Sequence, residues 1–477
     1  MEKTIHIAVI PSAGLTHLIP IIEFSKKMLQ LCPDFHVTCI IPTLGSPSSA
    51  TIAYLQSLPS NLHYNFLPPV HEEDIMPHQN DQPVHIAVQI QRVVTLSLPY
   101  IRQELESLSS RNGLAALVTD TFAMEALDIG SELNILSYVY CPYSAMALSL
   151  FMYAPDLVEK TISMEFRDLQ DPIKMPGCAP IQGRDLIDSV QDRSNLVYKQ
   201  FLERCRRLNH ADGILVNSFP ELETETIKAL QEGFKDKPQI YSVGPILQSG
   251  SSSSEPHGLE CLKWLNNQPP RSVLYVSFGS GGTLSQDQLN ELALGLELSG
   301  EKFLWVVRAP SNFASAAYLA LENKNPLNFL PEGFMKRIKE KGLVIPSWAP
   351  QIQILSHNST GGFLSHCGWN SILESLQKGV PLIAFPLFGE QKMNAVLLTD
   401  GLKVALRPKV NEKGIVERDE IAKLIKSLME GEGGKEIHER MKHLQDYTAN
   451  AMREDGSSAK TLYQVGLKWK NLGGIGE

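Results

Sequence analysis

Residues 348–391 read WAPQIQILSHNSTGGFLSHCGWNSILESLQKGVPLIAFPLFGEQ and contain a strand, a turn and the start of a helix in direct succession. The apolar run GGFLSH predicts a short buried strand that ends at His366. A turn of small residues follows over Cys367–Ser371, and the segment ILESLQKGV predicts a helix that Gly379 ends. The start of a helix offers unpaired backbone N–H groups and a partial positive charge, which together suit a phosphate group. The stretch therefore predicts a nucleotide site in an α/β domain.

The polar and aromatic residues of this stretch are of the types that hold a nucleotide. Three side chains would add hydrogen-bond donors to the phosphate cradle: His366, Asn370 and Ser371. Glu374, one turn into the helix, would accept hydrogen bonds from two neighbouring sugar hydroxyls. Trp348 offers a flat apolar face to a base, and Gln351 offers a polar edge beside it. Each residue alone fits a structural role equally well, as a core Trp, a capping Ser or a surface Glu, so the interpretation rests on their order.

In its length and landmarks the stretch resembles the signature box of the plant secondary-product glycosyltransferases. The resemblance implies that Trp348 stacks on uracil, that Gln351 and Glu374 hold the ribose, and that the three donors named above hold the diphosphate. It also implies that Glu390 and Gln391 bind the hydroxyls of the transferred sugar. Members of the family usually carry Asp in place of Glu390, so the contact with the sugar is expected to be slightly relocated.

Other residues are expected to contact the same donor. Trp369 with a terminal Gln is the pattern that the family associates with UDP-glucose, whereas a terminal His would indicate UDP-galactose. Four further donor contacts are assigned: Thr16, Ser144, Ser277 and Ala349. Ser144 aligns with a hydroxyl residue that contacts the transferred glucose in the family, and Ser277 would help to spread the charge of UDP. Many members have Gly where this chain has Thr16, whose hydroxyl would bond phosphate or sugar, or only tighten the turn.

Length and composition limit the classes of protein to which the chain can belong. Its 477 residues correspond to roughly three units of about 150 residues, a size that two large α/β domains satisfy equally well. The net charge of −9 argues against nucleic-acid binding. Seven scattered cysteines without paired spacing indicate a reducing compartment, and neither a signal peptide nor an apolar run of about 18 residues is found. We therefore expect a cytoplasmic protein without a membrane span.

Strands alternate with helices along the chain, which predicts parallel sheets with right-handed crossovers. The Ser-rich stretch 248–258 is interpreted as a linker between a first domain, 1–247, and a second, 259–457. The resemblance implies the GT-B class of α/β fold, in which two Rossmann-like domains with parallel sheets face a central cleft. It also implies that a last helix, about 458–477, packs back on the first domain, which holds the acceptor while the second holds UDP-glucose.

His17 and Asp120 are the candidate catalytic pair. His17 lies in a strand-to-helix turn, within PSAGLTHLIP, and Asp120 lies near the end of the strand LAALVTDTF. Carboxyl ends of parallel strands line the ligand crevice of such sheets, so the two side chains are expected to converge. A neutral imidazole accepts a proton near neutral pH, and a carboxylate would orient it and stabilise the imidazolium. A His in a turn also fits a structural role, but its setting resembles that of the family's catalytic His.

The acceptor is expected to be a small phenolic compound, as in the hydroquinone and monolignol glucosyltransferase group that the chain resembles. Four apolar side chains are assigned to its pocket: Phe122, Met146, Phe151 and Leu186. The residues between 151 and 210 are expected to form irregular helices and loops. Ordinary domain packing is the alternative interpretation for any single residue there.

The predicted reaction is inverting transfer of glucose to a phenolic hydroxyl, which gives a β-glucoside. UDP-glucose would be a co-substrate, with no cofactor and no metal, because no Asp-x-Asp or His/Cys cluster lies near the box. The run His71–Asp74 is interpreted as an exposed loop. A monomer is expected. Two alternatives remain open: a sugar-nucleotide epimerase or hydrolase on the same fold, and a catalytically silent protein that binds a UDP-sugar.

Overall fold

A computed structural model of the chain describes residues 5–75, 84–161, 164–233, 238–248, 256–314 and 325–472. The chain divides into two compact units. The first comprises Met1–Arg184, Ser189–Gln248 and Asn450–Glu477, and the second comprises Asp185–Asp188 and Ser249–Ala449. Most of the predicted linker, 249–255, lies outside the described residues, as do the last residues of the predicted C-terminal helix.

The first unit is built on a seven-stranded sheet. Its strands are β1 (Ile5–Ile10), β2 (Phe35–Ile41), β3 (Leu62–Phe66), β4 (Leu114–Asp120), β5 (Leu136–Cys141), β6 (Gly213–Val216) and β7 (Gln239–Ser242). They lie in the order β3-β2-β1-β4-β5-β6-β7, and all neighbouring strands pair in parallel. The strand order reverses between β1 and β4, and ligands bind at such a reversal, outside the carboxyl ends of the strands.

Helices connect these strands, as parallel pairing requires. They span Leu15–Leu31, Ser49–Gln56, Glu72–Ile75, Ile86–Asn112, Ala126–Glu132, Ala145–Lys160, Leu196–Arg207 and Thr224–Glu232, with short 3-10 turns at Phe166–Asp168, Gly183–Asp185, Asp188–Val190 and Leu208–His210. Several begin at a side-chain cap, for example Ser48, which accepts a hydrogen bond from the backbone N–H of Thr51.

The helix Ser457–Leu472, late in the chain, completes the core of the first unit. Leu462, Val465 and Trp469 are fully buried among side chains of β1, β2 and the first helix. Lys470 donates a hydrogen bond to the Asp34 carboxylate at 2.5 Å. Ser458 donates one to the carbonyl oxygen of Gly244.

The second unit is built on a six-stranded parallel sheet. Its strands are β8 (Val273–Ser277), β9 (Lys302–Val307), β10 (Gly342–Pro346), β11 (Thr360–Ser365), β12 (Leu382–Ala384) and β13 (Ala405–Leu406). They lie in the order β10-β9-β8-β11-β12-β13. The order reverses between β8 and β11. Its helices span Pro256–Asn266, Gln286–Ser299, Phe334–Arg337, Gln351–Ser356, Trp369–Lys378, Gln391–Val396, Arg418–Met429 and Glu432–Met452. The last three residues of the helix Glu432–Met452 belong to the first unit. A 3-10 turn covers Pro326–Phe329, and a π turn covers Leu397–Gly401.

Some elements differ from the sequence expectations. The helix predicted after Ser371 begins at Trp369, because the backbone turns helical directly after Gly368. The region expected to be irregular contains the regular helix Leu196–Arg207. Part of the run predicted as a loop forms the short helix Glu72–Ile75. Among the described residues no helix combines the length and the apolar character that a membrane crossing requires.

Candidate active site

The turn after β1 places His17 in the first turn of the helix Leu15–Leu31. Gly14 precedes that helix with φ 105° and ψ 145°, a conformation that residues with a Cβ rarely adopt. No side chain caps the helix there; the backbone N–H of His17 bonds the carbonyl oxygen of Gly14 at 3.2 Å. Thr16, next to it, is half-buried. Because of this turn at Gly14, the imidazole of His17 lies at the carboxyl end of β1, where the strand order reverses.

The structure brings His17 and Asp120 together. Nδ1 of His17 lies 3.1 Å from Oδ2 of Asp120, and the two side chains are 14% and 1% exposed. The hydroxyl of Ser12 donates to the same carboxylate oxygen, and the backbone N–H of Phe122 lies 3.4 Å from it. Burial raises the pKa of Asp120, but the charge and hydrogen bond of His17, with the Ser12 and Phe122 bonds, outweigh burial and hold that pKa below its usual value.

This arrangement fixes which nitrogen of His17 carries the proton. An ionised Asp120 accepts hydrogen bonds only, so Nδ1 donates to it. Nε2 is then the nitrogen that can take a proton from a substrate. Ser12, which the sequence interpretation did not include, belongs to the same cluster; its place directly after β1 was the available signal.

Aromatic side chains lie next to this pair. The ring of Phe122 packs edge-on against His17, with ring centroids 5.4 Å apart and an interplanar angle of 88°. Phe151 and Met146 are buried in the helix Ala145–Lys160, where Phe151 stacks on Tyr143 at 5.3 Å. Leu186, the fourth residue assigned to the acceptor pocket, is fully buried and belongs to the second unit.

Ser144 has a clear structural role. It is fully buried, and its hydroxyl oxygen accepts a hydrogen bond from the backbone N–H of Ala147, as the cap of the helix Ala145–Lys160. The buried carboxylate of Glu223 accepts from the N–H groups of Ala145 and Met146, each at 2.8 Å. Contact between Ser144 and the transferred glucose stays a prediction.

In the second unit, His366 directly follows β11 and is enclosed by two glycines. A Cβ on Gly279, whose φ is +72°, would lie 2.7 Å from the imidazole ring, and one on Gly368 would lie 2.4 Å from it. Burial lowers the pKa of His366 to about 4, against the opposing effect of a hydrogen bond with the backbone of Ser277. His366 is therefore neutral at pH 7 and would meet an anion as a hydrogen-bond donor without a formal charge.

The first turns of the helix Trp369–Lys378 carry a hydrogen-bonded cluster. Nε2 of Gln351 donates to Glu374 at 2.7 Å and to the hydroxyl of Ser371 at 2.9 Å. The carboxylate of Glu374 is 9% exposed, and burial raises its pKa to about 7, despite the opposing hydrogen bond from Gln351. The two residues predicted to hold a ribose are thus already joined to each other. Asn370, between them, is half-buried.

The aromatic residues of the box differ in exposure. Trp348 is 42% exposed, so its indole surface remains accessible to a base, whereas Ala349 beside it is buried. Trp369 is buried as the first residue of its helix. Ser277, at the end of β8, is buried, and its hydroxyl lies 3.4 Å from the backbone N–H of Gly279.

At the end of the box, backbone hydrogen bonds already occupy the side-chain oxygen of Gln391. The amide oxygen of Gln391 accepts from the backbone N–H groups of Leu387 and Phe388, at 2.9 and 3.0 Å. Both its lone pairs are used, so the amide NH₂ is the group left to reach a sugar hydroxyl. Glu390, half-buried, precedes the helix Gln391–Val396. Asp188, which the sequence interpretation missed, accepts from the N–H of Gly389 at 2.8 Å within the same unit.

Metal-ligating clusters are a separate question. Within the described ranges no group of three or more His, Cys, Asp and Glu side chains is arranged to hold a metal ion. The seven cysteines are all free.

Comparison with known proteins places these features in one family. The family model described as "UDP-glucoronosyl and UDP-glucosyl transferase" matches residues 237–444. The chain is 49% identical over 473 residues to the hydroquinone glucosyltransferase of Rauvolfia serpentina, covering 99% of each chain. It is 48% identical over 472 residues to UDP-glycosyltransferase 72B1 of Arabidopsis thaliana, covering 98% of this chain and 97% of the other.

A solved structure supports the same assignment. Phytolacca americana UGT2, complexed with UDP-2fluoro-glucose and pterostilbene, matches with a TM-score of 0.89 and 46% identity, over 98% of this chain and 100% of that one. Two doubly wound parallel sheets of this kind define the GT-B fold of sugar-nucleotide-dependent transferases. The chain belongs to the UDP-glucuronosyl and UDP-glucosyl transferase family and is a plant-type UDP-glycosyltransferase.

Proposed function

We propose that this enzyme transfers glucose from UDP-glucose to the hydroxyl of a small phenolic compound, with inversion, to give a β-glucoside. The observation that carries the proposal is the 3.1 Å contact of His17 with the buried Asp120, beside the ring of Phe122. The names of the relatives support the chemistry, since one of them is a hydroquinone glucosyltransferase.

In the proposed reaction, Nε2 of His17 removes the proton of the phenolic hydroxyl. The phenolic oxygen then attacks the anomeric carbon of glucose, and the bond from that carbon to the diphosphate oxygen breaks as UDP leaves. Asp120 stabilises the imidazolium that forms, by the logic of a catalytic triad with the acceptor hydroxyl in place of the serine. Phe122, Met146 and Phe151 are proposed to line the acceptor pocket of the first unit.

The second unit is proposed to hold the donor. Trp348 would stack on uracil beside Ala349, and the joined pair Gln351 and Glu374 would open to bond the ribose hydroxyls. The start of the helix Trp369–Lys378 would hold the diphosphate through backbone N–H groups. Neutral side-chain donors would assist it: Ser277, His366, Asn370 and Ser371. The remaining donor contacts proposed are Thr16, Ser144, Trp369, Glu390 and the amide NH₂ of Gln391.

Three further properties belong to this proposal. The donor set around the proposed diphosphate site consists of backbone N–H groups and neutral side chains, which supports transfer without a divalent metal; activity in excess chelator would then equal activity without it. We further propose a monomer in the cytoplasm. The seven free cysteines support a reducing compartment.

One assay tests the reaction class. The purified chain is incubated with UDP-glucose and a panel of phenols, while UDP and a product heavier by one hexose are measured. Release of UDP together with such a product supports transfer. Release that does not depend on phenol would indicate a hydrolase, an isomerised sugar nucleotide an epimerase, and tight UDP-glucose binding without turnover a silent binding protein.

A second assay tests the choice of donor. We expect faster transfer from UDP-glucose than from UDP-galactose, because two backbone bonds hold the amide oxygen of Gln391 and leave its NH₂ to donate to one sugar hydroxyl. Gln391→Ala should lower glucose transfer by roughly 10- to 100-fold, the scale of losing a directed bond worth about 1–3 kcal/mol. Equal rates from the two donors in the wild-type enzyme would contradict the assignment.

A further inference from the structure

Arg204 is a buried cation that no described residue neutralises by direct contact. It lies on the helix Leu196–Arg207 and is 5% exposed. Its Nη1 is buried without a hydrogen-bond partner among the described residues. The charge is nevertheless retained at neutral pH, because burial lowers its pKa only to about 10, while several groups, Asp120 among them, act in the opposite direction.

Arg204 and His17 both pack against the ring of Phe122. Its guanidinium carbon lies 4.4 Å from the centre of the Phe122 ring, as a cation–π contact. The same ring packs against His17 at 5.4 Å. The imidazole centre and the guanidinium carbon are therefore separated by at most the sum of these two distances, about 10 Å, a span that one benzene ring with substituents at opposite ends can approach.

The nearby carboxylates do not supply the missing partner. Asp120 is engaged through Oδ2 by His17 and by the hydroxyl of Ser12, and its Oδ1 is buried without a hydrogen bond to any described residue, the guanidinium of Arg204 included. Glu125, which also acts on the charge of Arg204, accepts a hydrogen bond from Thr95 at 2.7 Å. Within the described part of the chain, neither forms an ion pair with the guanidinium.

A second polar group lies in the same neighbourhood. Tyr143 is buried, and its hydroxyl bonds no nitrogen or oxygen of the described residues; the thiol of Cys141, a weak partner, is within its reach. Tyr143 lies close enough to Arg204 to interact with it electrostatically, and its ring stacks on Phe151. Two hydrogen-bond donors therefore lie among the aromatic residues proposed to hold the acceptor.

Such a group needs a physical explanation. Burying an unpaired charge is strongly unfavourable, and buried polar atoms without partners are uncommon in native proteins. The guanidinium fork matches a carboxylate in geometry and charge. A ligand that brings a carboxylate to this position would regain part of that cost on binding.

We propose that Arg204, assisted by the hydroxyl of Tyr143, is a specificity-determining site for a carboxylate carried by the acceptor at the end opposite the hydroxyl that reacts. The substrate class is then hydroxyaryl carboxylic acids, with neutral phenols as poorer acceptors. This inference rests on the proposed glucosyl transfer to phenols. It adds a second point of recognition, which His17 and Asp120 do not provide.

The test compares two acceptors that differ in this one group, 4-hydroxybenzoate and its methyl ester. The quantity measured is the ratio of their kcat/KM values, so that the general effects of a substitution cancel. We expect Arg204→Met to lower the ratio of carboxylate to ester by about 10- to 100-fold, as loss of a charge-assisted hydrogen bond predicts. Arg204→Lys keeps the charge but loses the fork, and should give an intermediate ratio.

Arg206→Met is the matched control, since Arg206 lies on the same helix with its side chain 64% exposed. It should leave the ratio as in the wild type. An unchanged ratio in Arg204→Met would overturn the inference, as would an equal loss for both acceptors, which would make Arg204 a support for Phe122 and His17 only.

Binding measurements separate this inference from the proposed function. NMR titration of the two compounds into the UDP-loaded chain gives the same ratio from dissociation constants, without turnover. If neither compound is glucosylated, the proposed phenol transfer fails, and the binding ratio still decides the role of Arg204. Tighter binding of the carboxylate that Arg204→Met abolishes supports the site, and equal binding by both proteins refutes it.

Discussion

His17 and His366 both lie at the carboxyl end of a parallel sheet, next to the reversal of strand order, but their surroundings differ. His17 follows β1, the counterpart of β8 in the second sheet, whereas His366 follows β11, the counterpart of β4 in the first. His17 lies in the first turn of its helix and His366 precedes its helix, and each of these helices begins after a glycine without a side-chain cap. His17 contacts a buried carboxylate, whereas His366 contacts two glycines and is held neutral by burial. The carboxyl end of a parallel sheet can therefore hold a proton acceptor or a neutral anion-binding group, and the neighbouring residues determine which.

The largest effect should follow from removing the first histidine. His17→Ala is expected to lower kcat by about 100-fold or more, the usual scale of general-base catalysis. UDP affinity, measured by calorimetry, should stay near the wild-type value, because the proposed nucleotide site lies in the second unit. Activity retained in full on a weakly acidic phenol would place the base elsewhere.

The carboxylate partner provides the control for this prediction. Asp120→Ala should lose most of the same activity, since Asp120 orients Nδ1 of His17. The double variant should be hardly slower than His17→Ala, because groups that act as one unit are strongly non-additive. A strongly acidic phenol should suffer less in each variant, since it ionises without help; multiplicative losses would contradict the pairing.

A smaller effect is expected when the second site is titrated. Ribose hydroxyls donate to the carboxylate form of Glu374, so UDP binding should favour the ionised state. Because burial raises the pKa of Glu374 to about 7, UDP affinity should weaken below pH 7, by up to about tenfold per pH unit. His366, with a pKa of about 4, does not change charge in this range.

Calorimetry of UDP binding from pH 5.5 to 8.5 measures this dependence, with proton release near pH 7 as a second readout. Glu374→Gln should bind UDP more weakly at pH 8 and with little dependence on pH. The same raised pKa of Glu374 acts on folding stability in the opposite direction. A carboxyl whose pKa is raised in the folded state binds more protons there than in the unfolded chain, so its contribution to stability falls as pH rises from about 4.5 to 7. A variant with the wild-type pH dependence would exclude Glu374 as the titrating group.

The smallest effect concerns the glycines that enclose His366. Gly279→Ala places a Cβ in a left-handed conformation and against the imidazole, whereas Gly414→Ala has a similar φ of +74° with no atom within 4 Å. The left-handed conformation alone costs about 1–2 kcal/mol. Thermal unfolding should therefore show a loss in both variants, and only Gly279→Ala should also weaken UDP binding, by several-fold. Equal UDP affinity in the two would mean that the position of the His366 ring does not matter.

Much of the strand pattern was predictable from the sequence, because buried parallel strands appear as short apolar runs between turn residues. The predicted strands GGFLSH and LAALVTDTF agree with Thr360–Ser365 and Leu114–Asp120 to within two residues at each end. The strand Leu382–Ala384 was not predicted, since three residues next to Pro381 are too short to show a period.

Side-chain partners could not be predicted in the same way. The bonds from Gln351 to Glu374 and from the backbone of Leu387 to Gln391 depend on rotamers that spacing does not reveal. Arg204 lies in the run ERCRR, which looks like a solvated helix face. Its burial depends on tertiary packing against Phe122, a residue far away in the sequence.

The C-terminal helix has a consequence for the order in which the protein is made. Trp469 fills the core of the first unit, yet the residues of the second unit are synthesised before it. On the ribosome, the apolar core of the first sheet therefore stays incomplete until residues 457–472 have emerged. All strands of the second sheet have been synthesised by then. We therefore expect the second unit to fold before the first, against the usual order in which the N-terminal domain folds first. The first sheet, with its core incomplete, is the species that most needs a chaperone.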